Sequence, residues 1–182
     1  MWLVAATAVE LGGLPGLACG VGPVEAAVAT AAALASRRPA AVRHVGVAGG
    51  RGLPIGAVVV GSEAVYLDLA AAIPVVDRTA PSGRLVEAVA GALPGAVILP
   101  IGTSAAVGAG DGSSSAPSVE AMEGFGVLRA CALAEVPAVE VRVISNEIGE
   151  PDRARWDIPG ALARLDDVLP AALAAIERAV GA

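Results

Sequence analysis

Five short apolar runs, set at intervals along the chain, limit what it can fold into. They are Trp2–Ala6, Val42–Ala48, Ala57–Ser62, Ala96–Ile101 and Ala138–Ile144. A strand with one face in water alternates apolar and polar residues, whereas a strand covered on both faces reads as a continuous Val/Ile run. Between the runs lie helix-forming stretches. Pro23 stands where a first helical position should be, after the Gly20-Val21-Gly22 turn, and predicts an alanine-rich helix over 23–36 closed by Arg37-Arg38-Pro39. Further helices are expected over 83–93, over about 119–135 with Ser118 as cap, and from Pro159 onward with a kink or break at Pro170. Strands that alternate with helices in this way predict an α/β sheet covered on both faces, in one domain spanning residues 1–182. Residues 102–118 read as a long Gly/Ser/Ala loop, of the kind that is functional or mobile.

The composition excludes several classes of function. The net charge is −6, all 12 basic residues are arginine, and no basic run interleaves with aromatics, so no nucleic-acid footprint is expected. Cys19 and Cys131 stand alone and read as reduced thiols filling the core. His44 is the one histidine, so no metal cluster is expected, and a structural or surface role suits it. Pro94 and Pro100 break the apolar stretch 88–109, and Glu10, Pro15, Pro23 and Glu25 interrupt residues 1–34, so no membrane span is expected. An apolar strand that opens at residue 2 leaves no room for a cleaved signal, and the expected location is the cytoplasm.

Three loops leave strands with suggestive residues. Gly46-Val47-Ala48-Gly49-Gly50 lets a ligand approach the backbone N–H groups, although a tight turn accounts for it equally well. It is not a GxGxxG fingerprint, and no P-loop lysine exists. Glu120-Ala121-Met122-Glu123-Gly124-Phe125-Gly126 places two carboxylates at an expected helix start. Either could be an ordinary dipole partner, a role that suits Glu120 better than Glu123; a carboxylate can also accept both hydroxyls of a ribose diol. The third loop begins at Ser145 and Asn146, the chain's one asparagine, with Trp156 downstream. Asn146 could simply form a turn at a strand end. Its amide also offers a donor and an acceptor side by side, which matches a 6-oxopurine.

Together these segments resemble the nucleoside phosphorylase/nucleosidase superfamily. Glu10, Ala48-Gly49-Gly50, Met122-Glu123 and Ser145-Asn146 follow the order of an early Glu, an Ala-Gly-Gly turn, a Met-Glu pair and a strand ending in Ser-Asp. The strings Glu120–Gly126 and Arg142–Asn146, with Gly20–Pro23, look more like the futalosine hydrolase branch, which acts in menaquinone biosynthesis on a nucleoside of hypoxanthine. The resemblance implies a three-layer phosphorylase/hydrolase-like α/β fold, with a central mixed, mostly parallel sheet flanked by helices. It implies hydrolysis of an N-glycosidic bond through an oxocarbenium-like transition state, without metal or organic cofactor. Glu10 would position or deprotonate the attacking water. Glu123 would hold the ribose hydroxyls, Met122 would pack on the ribose, and Asn146 would bind the departing base. Ala48, Gly49, Gly50 and Phe125 would line the substrate site, Arg142 and Ser145 would support the base loop, and Trp156 would cover the base or else sit in the core. The first 36 residues hold no Lys, Arg or His, and Glu10 would repel phosphate, so water is the expected acceptor. The partner is a small-molecule purine nucleoside, and the family forms homo-oligomers. Segments 11–19, 69–80 and 102–118 are short for the family. The rival readings are a methylthioadenosine/adenosylhomocysteine nucleosidase, a purine nucleoside phosphorylase, a nucleoside-binding protein without catalysis, and an α/β domain with no ligand.

Overall fold

The computed structural model describes residues 1–69, 71–106 and 116–181. The apolar runs all form strands: β1 (Trp2–Ala5), β3 (Val42–Gly50), β4 (Val58–Tyr66), β6 (Val97–Thr103) and β8 (Ala138–Glu147). Three short strands join them: β2 (Leu17–Ala18), β5 (Arg78–Thr79) and β7 (Val119–Ala121). The helices are α1 (Pro23–Ser36), α2 (Gly83–Ala92), α3 (Gly124–Leu133) and α4 (Ile158–Gly181), with a single 3-10 turn at Arg153–Arg155.

Five of the strand pairings are parallel and three antiparallel, in one sheet of eight strands. Five strands close a ring, because β3 pairs with β8, β8 with β4, β4 with β6, β6 with β7 and β7 with β3. Each ring strand gives Ala or an aliphatic residue to the small core within it: Ala48, Val59, Ile101, Val119, Ala121 and Ile144. Helices α2 and α4 cover one side through Leu85, Val89, Leu165, Leu169 and Ile176, packed on Val139, Val141 and Val143 of β8. Helices α1 and α3 cover the other through Ala26, Leu34, Val127 and Leu128. Cys19 and Cys131 fill this second core as free thiols, and burial pushes them up to about 11 and about 12.

Two expectations need correction. The helix expected over 119–135 begins only at Gly124. Residues Val119–Ala121 pair with Ile101–Thr103 of β6 and with Gly49 and Gly50 of β3, and this bridging closes the ring, so ladder hydrogen bonds override helix propensity. Ser118 therefore caps no helix; its carbonyl accepts from Arg51 N–H. Glu120 lies in a strand and cannot be a helix-dipole partner. The cap of α3 comes instead from β6, where Thr103 Oγ1 accepts from Phe125 N at 2.8 Å. Helix α4 runs unbroken through Pro170. That residue is exposed, so the carbonyl it leaves unpaired can be hydrated. Of the structural and surface roles expected for His44, full burial leaves the structural one. Of the loop expected over 102–118, residues 107–115 lie outside the described residues. Among the described residues no helix is long and apolar enough to cross a membrane, and no cluster of residues could hold a metal ion.

Candidate active site

Side chains converge beyond the carboxyl ends of the parallel strands β1, β3 and β8, the end at which α/β sheets bind ligands. A cleft of about 540 Å³ lies there, within the usual size of small-molecule sites. Glu10, Ala48, Gly49, Met122, Glu123, Ser145, Asn146 and Trp156 line it. Three residues expected at the site stand apart. Gly50 does not line the cleft; Ile144 and Leu53 side chains pack against it. Phe125 stacks its ring on Tyr66 at 5.3 Å. Arg142 lies behind the lining, nearly fully buried.

Glu10 follows β1 in a turn that its own carboxylate closes. Oε2 accepts from Thr7 N at 3.0 Å and Thr7 Oγ1 at 2.9 Å, and Oε1 accepts from Val47 N at 3.2 Å. Glu123 is held from two directions. Oε1 accepts from Gly22 N at 3.1 Å, just before α1, and Oε2 accepts from Arg142 Nη2 at 3.3 Å. Both carboxylates keep acceptor capacity for a ligand, since each has about four lone-pair directions.

Arg142 organises the floor beneath them. Nε donates to Glu140 Oε1 at 2.8 Å, Nη1 donates to Val47 O at 3.3 Å, and Nη2 also donates to His44 Nε2. His44 Nδ1 lies 3.2 Å from Val4 O, a carbonyl that can only accept, so Nδ1 carries the proton and Nε2 is free to accept from Arg142. Burial, and then the Arg142 cation, hold His44 well below its ordinary value, and the ring is neutral. Burial opposes the charge on Arg142, but the carboxylates of Glu140, Glu123 and Glu10 outweigh it and raise the guanidinium above its usual value. Burial raises the Glu140 carboxyl against the pull of Arg142. Three carboxylates thus surround one guanidinium, and the cluster leans negative.

Backbone space is part of this design. A Cβ at Gly46 would lie 2.5 Å from both Arg142 Nη1 and Glu10 Oε1. At Gly49 it would lie 3.2 Å from Asn146 Nδ2. These glycines let charged and amide groups lie against the strand itself.

Asn146 reaches the cleft through an irregularity of β8. Ile144 pairs with Ala48 and Asn146 with Gly49, so Ser145 is an extra residue, and such bulges re-aim the side chains that follow. Ser145 Oγ lies 2.8 Å from Asn146 Oδ1 and 3.2 Å from Ala48 O. Asn146 Nδ2 donates to Glu147 O at 3.0 Å, which fixes the amide orientation because a carbonyl can only accept. One N–H and one lone pair of the amide are left over. The Ser145 carbonyl accepts from Asp157 N at 2.8 Å and ties the base strand to the segment that carries Trp156. Trp156 is half-buried, donates from Nε1 to Glu150 O at 3.1 Å, and has the Arg153 guanidinium 5.6 Å from its ring.

Sequence reasoning singled out neither His44 nor Glu140 for the site. The signal was present, since a Glu and a His inside otherwise apolar strand runs must be paired once buried.

Comparison with known proteins bears on the fold and the lineage. The signature of the Phosphorylase superfamily matches residues 12–109. Futalosine hydrolase of Streptomyces coelicolor is 38% identical over an alignment 177 positions long, which covers 84% of this chain and 75% of that protein. A mutant of futalosine hydrolase from Helicobacter pylori superposes with a TM-score of 0.83 at 17% identity, covering 94% of this chain and 96% of that one. A 5′-methylthioadenosine/S-adenosylhomocysteine nucleosidase from Colwellia psychrerythraea, in complex with adenine, gives 0.81 at 21% identity, with 95% and 93% covered. The two solved structures establish the three-layer α/β fold, and the superfamily signature and the Streptomyces relative establish the lineage: the chain belongs to the phosphorylase superfamily and, within it, to the futalosine hydrolase family of N-glycosyl hydrolases.

Proposed function

We propose that this chain hydrolyses the N-glycosidic bond of futalosine, releasing hypoxanthine and dehypoxanthine futalosine, as a step of menaquinone biosynthesis. The observation that carries the reading is the joint placement of Glu10, Glu123 and Asn146 on one cleft above a guanidinium already claimed by carboxylates.

The chemistry follows from those groups. As the bond to the base stretches, positive charge grows on the ribosyl ring and negative charge on the purine. The negative cluster below the cleft favours the first. Glu123 accepts the 2′- and 3′-hydroxyls and Met122 lies against the sugar. The Asn146 amide donates toward the purine O6 and accepts from N7–H once N7 is protonated, so its hydrogen bonds strengthen as the base departs. Water adds to the anomeric carbon as the bond to N9 breaks and gives up one proton to Glu10, and a proton from solvent on N7 lets the hypoxanthine leave neutral, so that one water supplies the hydroxyl of the sugar and the hydrogen of the base. Ala48 and Gly49 form the wall, Ser145 steadies the amide, and Trp156 covers the base.

Water rather than phosphate is the acceptor. Arg142 is enclosed by Glu140, Glu123, His44 and the Val47 carbonyl and offers no open fork to an anion. Arg153, the basic residue among those lining the cleft, is exposed and lies against Trp156. A neutral amide at position 146 favours a 6-oxopurine over the 6-amino base of methylthioadenosine. The protein acts in the cytoplasm as a homo-oligomer, which light scattering coupled to gel filtration will reveal.

The test is chromatography of free base released from futalosine, inosine and methylthioadenosine, each with and without phosphate. Hypoxanthine from futalosine at a rate indifferent to phosphate is expected. Release that requires phosphate would make the enzyme a phosphorylase, and release of adenine alone would move it to the methylthioadenosine branch.

A further inference from the structure

Glu140 is fully buried, and the proposed reaction gives it nothing to do. Its placement is costly. Oε2 has no hydrogen-bond partner among the described residues, and leaving a buried acceptor unpaired is expensive. The fold nevertheless makes room for it: a Cβ on Gly124 would run into both carboxylate oxygens of Glu140. Gly124 is the first residue of α3, whose positive end adds to the attraction for a negative charge.

We propose that Glu140 is a positioning residue that takes up the charge of Arg142 and so leaves the Glu123 carboxylate free to accept the ribose hydroxyls. The inference rests on the ribose-binding role given to Glu123 above.

The hydrogen-bond geometry supports it. A guanidinium presents its N–H groups in a rigid fork, so fixing some of them fixes the rest. Glu140 holds Nε at 2.8 Å, the Val47 carbonyl holds Nη1, and His44 shares Nη2. What remains for Glu123 is the longer contact of 3.3 Å on the shared nitrogen. Glu123 then has one lone-pair direction given to Gly22 N–H and one to Arg142, and two of about four are left for a diol. Without the Glu140 charge, Arg142 would be balanced mainly by Glu123 and Glu10. It would draw the Glu123 carboxylate down onto itself, and the ribose would lose acceptor strength.

Binding tests this without chemistry. The probes are 9-deazainosine, whose C-glycosidic bond water does not cleave, and its 2′,3′-dideoxy counterpart, titrated calorimetrically against wild type, Glu140→Gln and Glu140→Asp. Wild type should favour the diol. In Glu140→Gln that preference should fall about tenfold, the difference between a charged and a weakened acceptor, and Glu140→Asp should restore part of it. A merely structural role would weaken both ligands equally and leave the ratio unchanged, which overturns the proposal. If Glu140→Gln does not fold, Glu140→Met carries the test: it fills similar space without the charge, so the preference should again fall, and a ratio equal to that of wild type refutes the role. A wild type that binds both ligands equally would instead remove Glu123 as the ribose clamp, and the two failures are thereby told apart.

Discussion

Gly46 lies at the most crowded point of the buried charge cluster, and Gly46→Ala is the sharpest probe of it. Gly46 pairs with Arg142 across the β3–β8 ladder and lies between that guanidinium and the Glu10 carboxylate. The new Cβ would stand 2.5 Å from Arg142 Nη1 and from Glu10 Oε1, about 0.9 Å inside ordinary contact with each. Neither neighbour can easily yield, since Arg142 is held at both ends of its fork and Glu10 by Thr7 and Val47. Overpacking of a tight interior costs about 1–3 kcal/mol. Loosening one hydrogen bond to a charged group adds about 1.5–3 kcal/mol. A total of roughly 3–5 kcal/mol corresponds to a drop in Tm of about 10 °C for a domain of this length. Displacing Glu10 by about 1 Å should also lower kcat on the order of 100-fold, because misplaced catalytic groups lose rate at that scale. Denaturant melts and base-release kinetics on the same preparation measure both effects. A variant with wild-type stability and turnover would show that the strand has slack at Gly46 and that the cluster is not rigidly placed, and the reasoning would fail.

Three further outcomes are expected. Glu123→Gln keeps its shape but not its charge, and kcat/KM for futalosine should fall by about 100-fold or more, as two charge-assisted bonds to the ribose weaken; wild-type-like turnover would remove Glu123 from the site. Asn146→Asp should move the ratio of hypoxanthine to adenine release toward adenine, read from inosine and adenosine in parallel, and an unmoved ratio would mean that residue 146 does not read the base. His44 is neutral in the fold with its value held well below ordinary, so below pH ~6.5 the unfolded chain binds a proton that the folded one does not, and stability falls as the pH drops. His44→Gln should abolish a loss of up to ~1.4 kcal/mol per pH unit between pH ~6.5 and 5 in denaturant melts. The comparison isolates His44, since the opposite contribution of Glu140 is common to both proteins; equal slopes would mean that the ring is already charged in the fold.

Much of this architecture could be read from residue order. The apolar runs mark every long strand within a few residues; in β1, β3, β4 and β8 burial on both faces leaves little room for alternation, whereas β6 opens on the exposed Val97 and Ile98. Pro23 marked the start of α1 to the residue. Val119-Glu120-Ala121 was misread because a three-residue strand has no periodicity of its own; its identity comes from partners in β3 and β6. The site was partly legible for the same reason. A lone asparagine at a strand end and a Met-Glu pair draw attention in any sequence. The bonds that hold them do not, since Glu123 meets the Gly22 amide 101 positions away and Arg142 meets His44 across 98. Phe125 and Gly50 were expected at the ligand because their neighbours in sequence are there. The start of α3 and the register of β3 direct them elsewhere.

Strand β8 carries Glu140, Arg142 and Asn146 within seven consecutive residues, with one extra residue, Ser145, spliced in before the last of them. A strand counts in twos, so its tolerance to genetic change is lopsided. Exchanging one side chain disturbs one group. Loss of a single codon between 138 and 144 would reverse the phase of everything between the lesion and an end of the strand, sending charges toward the α2–α4 side and valines toward the guanidinium position. Drift in this lineage should therefore proceed along β8 by replacement, while changes of length collect in the connecting segments outside it.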